Sequence, residues 1–366
     1  MPFFKTYDKP FAIIFGALVL FGFLALASAS LGQAAKEGIS FYNYLSRQII
    51  LGLGLGGILF YFGLRLPYKF WRRLALIIFL AGLGLMFLVY VPYFGFSHGG
   101  AQRWLNFGYF FFQPVEFLKF GFIVYLSSWM ASRKEEIASF KFGLAPFFVF
   151  LGLIGILLLF QPDMGSFGVI GLTALVLFFI AGAKKSHLAA IVILGLAATA
   201  LLVAYEPYRA SRFMTFINPE DDLKGAGWQL HQSLIAIGSG GILGKGFGRG
   251  IQKFDYLPEA AGDSIFAVIA EEFGFLGGFF LIAAFLFFFW RGLLIAKNAP
   301  DVFGRLLVSG FVILIVLQGF IHIGGLTGLI PLTGLPLVFI SQGGSSLAVS
   351  FLMAGVILNV SKYNKY

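Results

Sequence analysis

The chain reads as an all-α integral membrane protein of about ten transmembrane helices, with a large extracytoplasmic loop between the seventh and eighth. Three observations predict this. Hydrophobic residues fill 59% of the 366 positions and charged residues only 11%, against about 25% charged in ordinary soluble domains. Apolar runs of about 18 residues or more, the length that crosses a bilayer as a helix, recur along the chain. Polar residues instead gather in one stretch, 205–263, which holds six of the 26 Lys and Arg and seven of the 16 Asp and Glu.

The ten runs are 11–31, 49–66, 74–91, 115–131, 144–160, 166–182, 187–204, 264–290, 305–325 and 338–360. The fourth, fifth and sixth are short enough that one of them could be re-entrant. Lys5 and Lys9 precede the first run, and Ala27-Ser28-Ala29 within it imitates a signal-peptidase site. That run exceeds the roughly 7–15 apolar residues of a signal core, so it reads as an uncleaved first helix. Short loops decide orientation, because Lys and Arg stay on the cytoplasmic side. With the N-terminus inside, 16 Lys and Arg fall in inner segments and four, Lys36, Arg47, Arg103 and Lys119, in outer ones. The orientation is N-in and C-in, with the polar loop outside.

No fixed-period repeat and no low-complexity linker divides the chain. It is one membrane domain, 1–366, containing the loop 205–263. The formal charge of +10 is largely this inner-face bias and points to anionic lipid rather than nucleic acid. The chain has no Cys, which excludes a disulfide framework, thiolate zinc sites and thiol redox chemistry. Its four scattered His residues make no dedicated metal cage. Within the loop, Gly238–Gly246 fails the Walker pattern, because Ser239 and Gly246 stand where glycine and Ser/Thr are needed, and no βαβ context surrounds it.

Asp263 stands where the loop meets the eighth run. Two readings apply: an N-cap that suits the positive end of a helix, or a general base where lipid and water meet. Glu271 and Glu272 are two turns further along, about 12–14 Å deeper if the helix is straight. Ionisable groups inside a bilayer face the bundle or a wet cavity; the alternative is an ion pair with Lys119 or Lys253. Glu116 and Lys119, spaced i,i+3, form an intrahelical pair that must face inward. Arg103 beside Trp104 is an interface anchor or an arginine that grips a phosphate. In Gln161-Pro162-Asp163-Met164-Gly165, Asp163 is a helix cap first and a site residue second. Pro331 and Pro336, with Gly328 and Gly334, mark a broken segment, tolerated in a membrane only where it is buried in protein or lines a cavity. Gln318 and His322, spaced i,i+4, aim a polar stripe to the same side.

Together these motifs resemble the SEDS family (shape, elongation, division and sporulation). They are Arg103-Trp104, Gln113-Pro114-Val115-Glu116 with Lys119, 161–165, Gln232–Gly241, Leu257-Pro258-Glu259-Ala260 with Asp263, and Pro331–Pro336. The match runs in order through essentially the whole chain. Gln252–Ala260 is more similar to the FtsW-like branch than to the RodA-like one.

The resemblance implies a peptidoglycan glycosyltransferase in the bacterial cytoplasmic membrane. It would polymerise lipid II beside a class B penicillin-binding transpeptidase and other divisome or elongasome membrane proteins. Asp263 takes the place of the family's essential aspartate, the base that activates the acceptor hydroxyl. Residues implied in substrate binding are Arg103, Glu116, Lys119, Arg209, Arg212, Gln232, Ser233, Lys253, Glu259, Ser341 and Ser345. The leaving pyrophosphate calls for positive charge, for which a divalent cation (Mg or Mn), Arg103, Arg209, Arg212 and Lys253 are the choices. This chain departs from the pattern beside the base: Ala261-Gly262 replaces His-Thr, and Ser264 replaces Phe. His322 stands where Asn is usual, Gln342 where an aromatic is, and Val338 where the outer motif has a third proline. Two other functions share much of this sequence logic, a lipid-linked oligosaccharide flippase and a non-catalytic activator of a transpeptidase. A transporter places charge near the midplane, often with inverted repeats, whereas here polar groups crowd one edge.

Overall fold

The computed structural model describes residues 7–38, 46, 48–98, 101–108, 111–205, 214–218 and 225–364. Each of the ten apolar runs forms helix. The first is α1, Lys9–Glu37, started by Pro10 and by Asp8, whose carboxylate accepts from Phe11 N at 2.9 Å. The second opens with π-helical turns, Gln48–Gly54, and continues as α2, Leu55–Arg65. A short α3, Tyr68–Arg73, leads to α4, Ala75–Leu88. Next come α5, Pro114–Ser132; α6, Ala145–Phe160, behind a π-helical turn at Phe140–Leu144; α7, Met164–Ile180; and α8, Lys185–Tyr205.

In the long loop lie α9, Ala226–Ser239, and the one-turn α10, Gln252–Asp255. The last three helices are α11, Ile265–Lys297; α12, Val302–Leu326; and α13, Gly344–Ser361. Asp163 caps α7 by accepting from Ser166 N, as expected, and Asp301 caps α12 through Gly304 N. By length and composition, seven of these spans can cross a membrane, while Ala75–Leu88 and Met164–Ile180 are apolar but shorter.

Packing places α12 and α13 at the centre: 83% and 94% of their apolar windows are buried, against 6% for the peripheral α8. Close approach rests on small residues, as is usual where helices associate without a hydrophobic drive. A Cβ on Gly355 would stand 2.4 Å from Phe60 O, and one on Gly63 would stand 2.7 Å from Leu352 O. Hence α13 and α2 touch backbone to backbone.

The helical class holds, with one addition and two corrections. Between α4 and α5 the chain makes a small antiparallel sheet of β1 (Gly95–His98), β2 (Ala101–Asn106) and β3 (Phe111–Phe112), in that order. The tenth run becomes helical only at Gly344, because Pro336 and the glycines before it hold the chain extended or turned. Most consequential, the eighth run is not one continuous helix but is broken at Gly274.

Gly274 interrupts α11 with φ 66° and ψ −164°, a conformation open essentially only to glycine. The two arms it joins are 265–273 and 275–297. A straight helix would separate Phe266 from Gly278 by about 18 Å, yet the Phe266 ring lies within 3.6 Å of a Cβ placed on Gly278. The short arm therefore folds back beside the long one. A Cβ on Gly274 would also stand 2.3 Å from Gly244 N. Gly274→Ala should cost roughly 2–4 kcal/mol from strain and overlap together, read as a lowered unfolding midpoint in detergent. Gly84→Ala, in a helix with nothing within 4 Å of its Cβ, should leave the midpoint unchanged or raise it slightly, by no more than about 1 kcal/mol.

Candidate functional site

The short arm carries a carboxylate at each end. At the hairpin tip, Glu271 and Glu272 are buried, and each collects donors from the segment 245–253. Glu271 accepts from Lys245 Nζ at 2.7 Å and from the amides of Ile251 and Gln252. Glu272 accepts from Lys253 Nζ at 2.6 Å, from Ser28 Oγ at 2.6 Å and from Gly248 N at 3.0 Å. Lys253 itself is enclosed, its ammonium divided among Glu272, Ser28 Oγ and Gly248 O. The ion-pair reading of Glu272 with Lys253 is the one the structure adopts, and it gives this lysine a structural employment rather than an open place facing a phosphate. Glycines make the fit possible: a Cβ on Gly244 would stand 2.1 Å from Glu272 O, and one on Gly250 would stand 2.9 Å from the Glu271 carboxylate.

At the arm's other end, Asp263 rides on a tight turn. Gly262 N and Ser264 N both donate to Glu259 O, and Ser264 Oγ donates to Pro258 O at 2.6 Å. Ser264, not Asp263, is the N-cap residue of α11, which removes the capping reading of the aspartate. Ser341 Oγ donates to Gly262 O at 2.8 Å, and Gln342 N donates to Ala261 O. The Asp263 carboxylate is half-buried and faces Gly334, where a Cβ would stand 3.3 Å from Oδ2.

Position along α1 sets the relative level of the two ends. Phe339 and Ile340, just before Ser341, pack on α1 at Gly22, whereas Glu272 meets α1 at Ser28. Six residues of helix are about 9 Å. The glutamates thus lie toward the C-terminal end of α1 and Asp263 toward its middle, the reverse of the order a straight helix implies.

Behind Gly334 the broken segment is held from α12. His322 Nδ1 lies 2.7 Å from Leu335 O, a contact that needs the proton on Nδ1, and Gln318 Nε2 donates to Pro336 O at 3.0 Å. Lys119 Nζ in turn donates to Gln318 Oε1 and to Glu116 at 2.8 Å, both partners buried. The stripe expected from Gln318 and His322 is a brace for the residues facing Asp263. On the other flank, Arg103 on β2 donates through Nε to Gln161 O and through Nη2 to Pro162 O, while a Cβ on Gly165 would meet Thr333 O at 3.0 Å. Arg103, 161–165, 331–337 and Asp263 thus form a connected wall.

The remaining expected residues are spread around it. Ser345 accepts from Gln113 N at 3.3 Å. Gln232 and Ser233 are buried on α9, with Ser233 Oγ turned to Gln229 O. Glu259 is exposed beside the turn, and Arg209 and Arg212 lie outside the described residues. Among the described residues no three His, Cys, Asp or Glu side chains gather so as to hold a metal ion. Sequence reasoning passed over Gln48, which takes Gly343 N at 3.2 Å, and Gln229, which reaches Ser264 Oγ; neither sits in a motif that marks it.

A family model for cell cycle proteins of the FtsW/RodA/SpoVE type matches residues 9–366. The chain belongs to this family. Stage V sporulation protein E of Bacillus subtilis (strain 168) is 36% identical over 359 residues, covering 98% of this chain and 98% of its own. A probable peptidoglycan glycosyltransferase FtsW of Geobacter metallireducens is 38% identical over 357 residues, covering 98% and 95%. Among solved structures, a chain of a peptidoglycan synthase complex superposes with a TM-score of 0.80 at 29% identity, covering 98% and 99%. The rod shape determining protein RodA of Thermus thermophilus superposes at 0.73 and 27% identity over the whole of both chains.

Removing one partner of a fully buried ion pair leaves the other charge uncompensated, at a cost of about 3–5 kcal/mol. Lys253→Met and Glu272→Gln should each show that loss in thermal unfolding, and the double variant should lose less than their sum. Lys245, whose side chain is 31% exposed against 0% for Lys253, should tolerate Met with a smaller loss, about 1 kcal/mol or less.

Proposed function

We propose that the chain is a peptidoglycan glycosyltransferase that polymerises lipid II at the outer face of the bacterial cytoplasmic membrane, which it crosses about ten times with both termini inside. The naming of its relatives supports the reaction class, and the membrane-length helices support the location. The observation that carries the chemistry is the seat of Asp263: one half-buried carboxylate, its backbone fixed on both sides, opposite a glycine that leaves room in front of it.

In this reading Asp263 takes the proton of the acceptor sugar's 4-hydroxyl as that oxygen attacks the donor's anomeric carbon. The new C–O bond forms while the bond to the lipid pyrophosphate breaks, which inverts the anomeric centre. A base must lie within hydrogen-bond reach of the proton it removes, and fixed backbone around the aspartate lowers the cost of reaching that geometry. Arg103 lies on the same wall, and Arg209 and Arg212 are in the same loop; these are the guanidinium groups proposed for the leaving group. Glu116 and Lys119 act at a distance, by holding Gln318 and through it the segment facing Asp263.

A resident metal does not fit the described donors, which offer no cluster of three ligands. In this reading the divalent cation is a Mg or Mn ion bound to the substrate's own pyrophosphate, since Mg commonly binds phosphates with one or two carboxylates and keeps its waters. A class B penicillin-binding transpeptidase is the proposed partner, alongside other divisome or elongasome membrane proteins.

The test supplies purified protein with its transpeptidase partner, lipid II and a divalent cation, and resolves glycan products on a gel. Asp263→Asn should reduce polymer by about 10²- to 10⁴-fold, as removal of a base at the reacting atom does, and leave the partner complex intact. Polymer at the normal rate from that variant would sink the assignment, and movement of lipid II across vesicles without polymer would favour a flippase. Chelation of divalent cations should stop polymer without lowering the unfolding midpoint; a lowered midpoint would place a metal inside the protein.

A further inference from the structure

Ser264 occupies the N-cap position of α11 without making the bond that position usually supplies. A serine there ordinarily accepts from an amide in the first helical turn, and none of these bonds is made. Its hydroxyl, wholly buried, instead donates to Pro258 O at 2.6 Å and accepts from Gln229 Nε2 at 3.1 Å. Pro258 lies on the turn carrying Asp263, and Gln229 lies on α9. The α9 helix also presses on the arm further along, where a Cβ on Gly240 would stand 2.0 Å from Ala270 O.

Asp263 is therefore bracketed. On its N-terminal side Ser341 grips Gly262 O; on its C-terminal side Gln229 grips Ser264. The first grip comes from the broken segment before α13, and the second from the loop. Only the second uses a side chain that has given up a helix-capping bond to make the link.

We propose that Gln229 and Ser264 are positioning residues for Asp263: their side-chain bond sets the carboxylate's place through the turn and couples it to α9. The inference rests on the glycosyltransferase reading for its kinetic consequences, but the link itself can be read without them. A misplaced base about 1 Å from its working position loses of the order of 100-fold in rate, with little effect on ground-state binding.

Two measurements test it. In the lipid II assay with the transpeptidase partner present, Ser264→Ala and Gln229→Leu should each lower kcat about 10- to 100-fold with KM within about twofold. Ser264→Thr, which keeps the hydroxyl, should stay within about threefold of the parent, and the double variant Ser264→Ala/Gln229→Leu should be no worse than either single one. The second measurement needs no activity: the chain has no Cys, so a nitroxide on Asp263→Cys reports this position alone. Its spectrum should be immobilised in the parent and loosened by Ser264→Ala. Normal kcat in Ser264→Ala, equal losses for Ala and Thr, or an unchanged nitroxide spectrum would each overturn the proposal. An absence of polymer from the parent protein, with the nitroxide loosened as expected, would defeat the glycosyltransferase reading and leave the positioning link standing.

Discussion

Two adjacent carboxylates, Glu271 and Glu272, are buried in a chain made mostly of apolar helix, and much of the architecture around them follows from that fact. A buried charge without partners costs several kcal/mol, and adjacent like charges add to it. Two lysines, backbone amides and the hydroxyl of Ser28 answer the demand. Those donors come from a loop that has to return onto the arm and from α1. Gly240, Gly244 and Gly250 are found where backbone must pass within van der Waals distance of the arm, and Gly274 where the helix must reverse.

The staple fixes one end of a nine-residue helical arm, and a helix of that length is a ruler of about 13 Å. The other end carries Asp263. Opposite it, a second and separate set of buried polar groups fixes the facing wall: Glu116, Lys119 and Gln318 reach in sequence to the carbonyl of Pro336, and His322 contacts that of Leu335. The distance between carboxylate and wall is thus set by two rigid supports rooted in different helices. Such preorganisation is what the general-base role proposed for Asp263 requires.

Much of this was legible before the fold was known. Hydropathy located all ten helical runs, and the i,i+3 spacing of Glu116 and Lys119 declared their pair. Asp163 read correctly as a cap, and Lys253 was among the partners foreseen for the paired glutamates. What hydropathy cannot register is direction. Residues 264–290 look like one span because Gly274 is a single small residue in an apolar run, and only its backbone angles reveal the reversal. The sign of the Asp263–Glu272 depth difference was lost with it. The sheet at 95–112 was missed because its strands are two to six residues long, shorter than any window that finds a span. Asp263 read as a possible cap because caps are called by residue type, and Ser264 beside it is equally eligible; geometry decided between them. The brace from Gln318 and His322 was visible as a stripe but not as a support, since its targets are backbone carbonyls, which carry no signature in side-chain identity.

The fold-back of the short arm is the central structural claim, and cross-linking tests it directly. With no Cys in the chain, cysteines can be placed at Phe266 and Gly278 and treated with a short bifunctional maleimide, the joined peptides being detected by mass spectrometry. The folded-back arm predicts an efficient intramolecular cross-link, as rapid as that of a control pair one helical turn apart. A continuous helix holds the two positions about 18 Å apart, and failure of the pair to join while the control does would contradict the account.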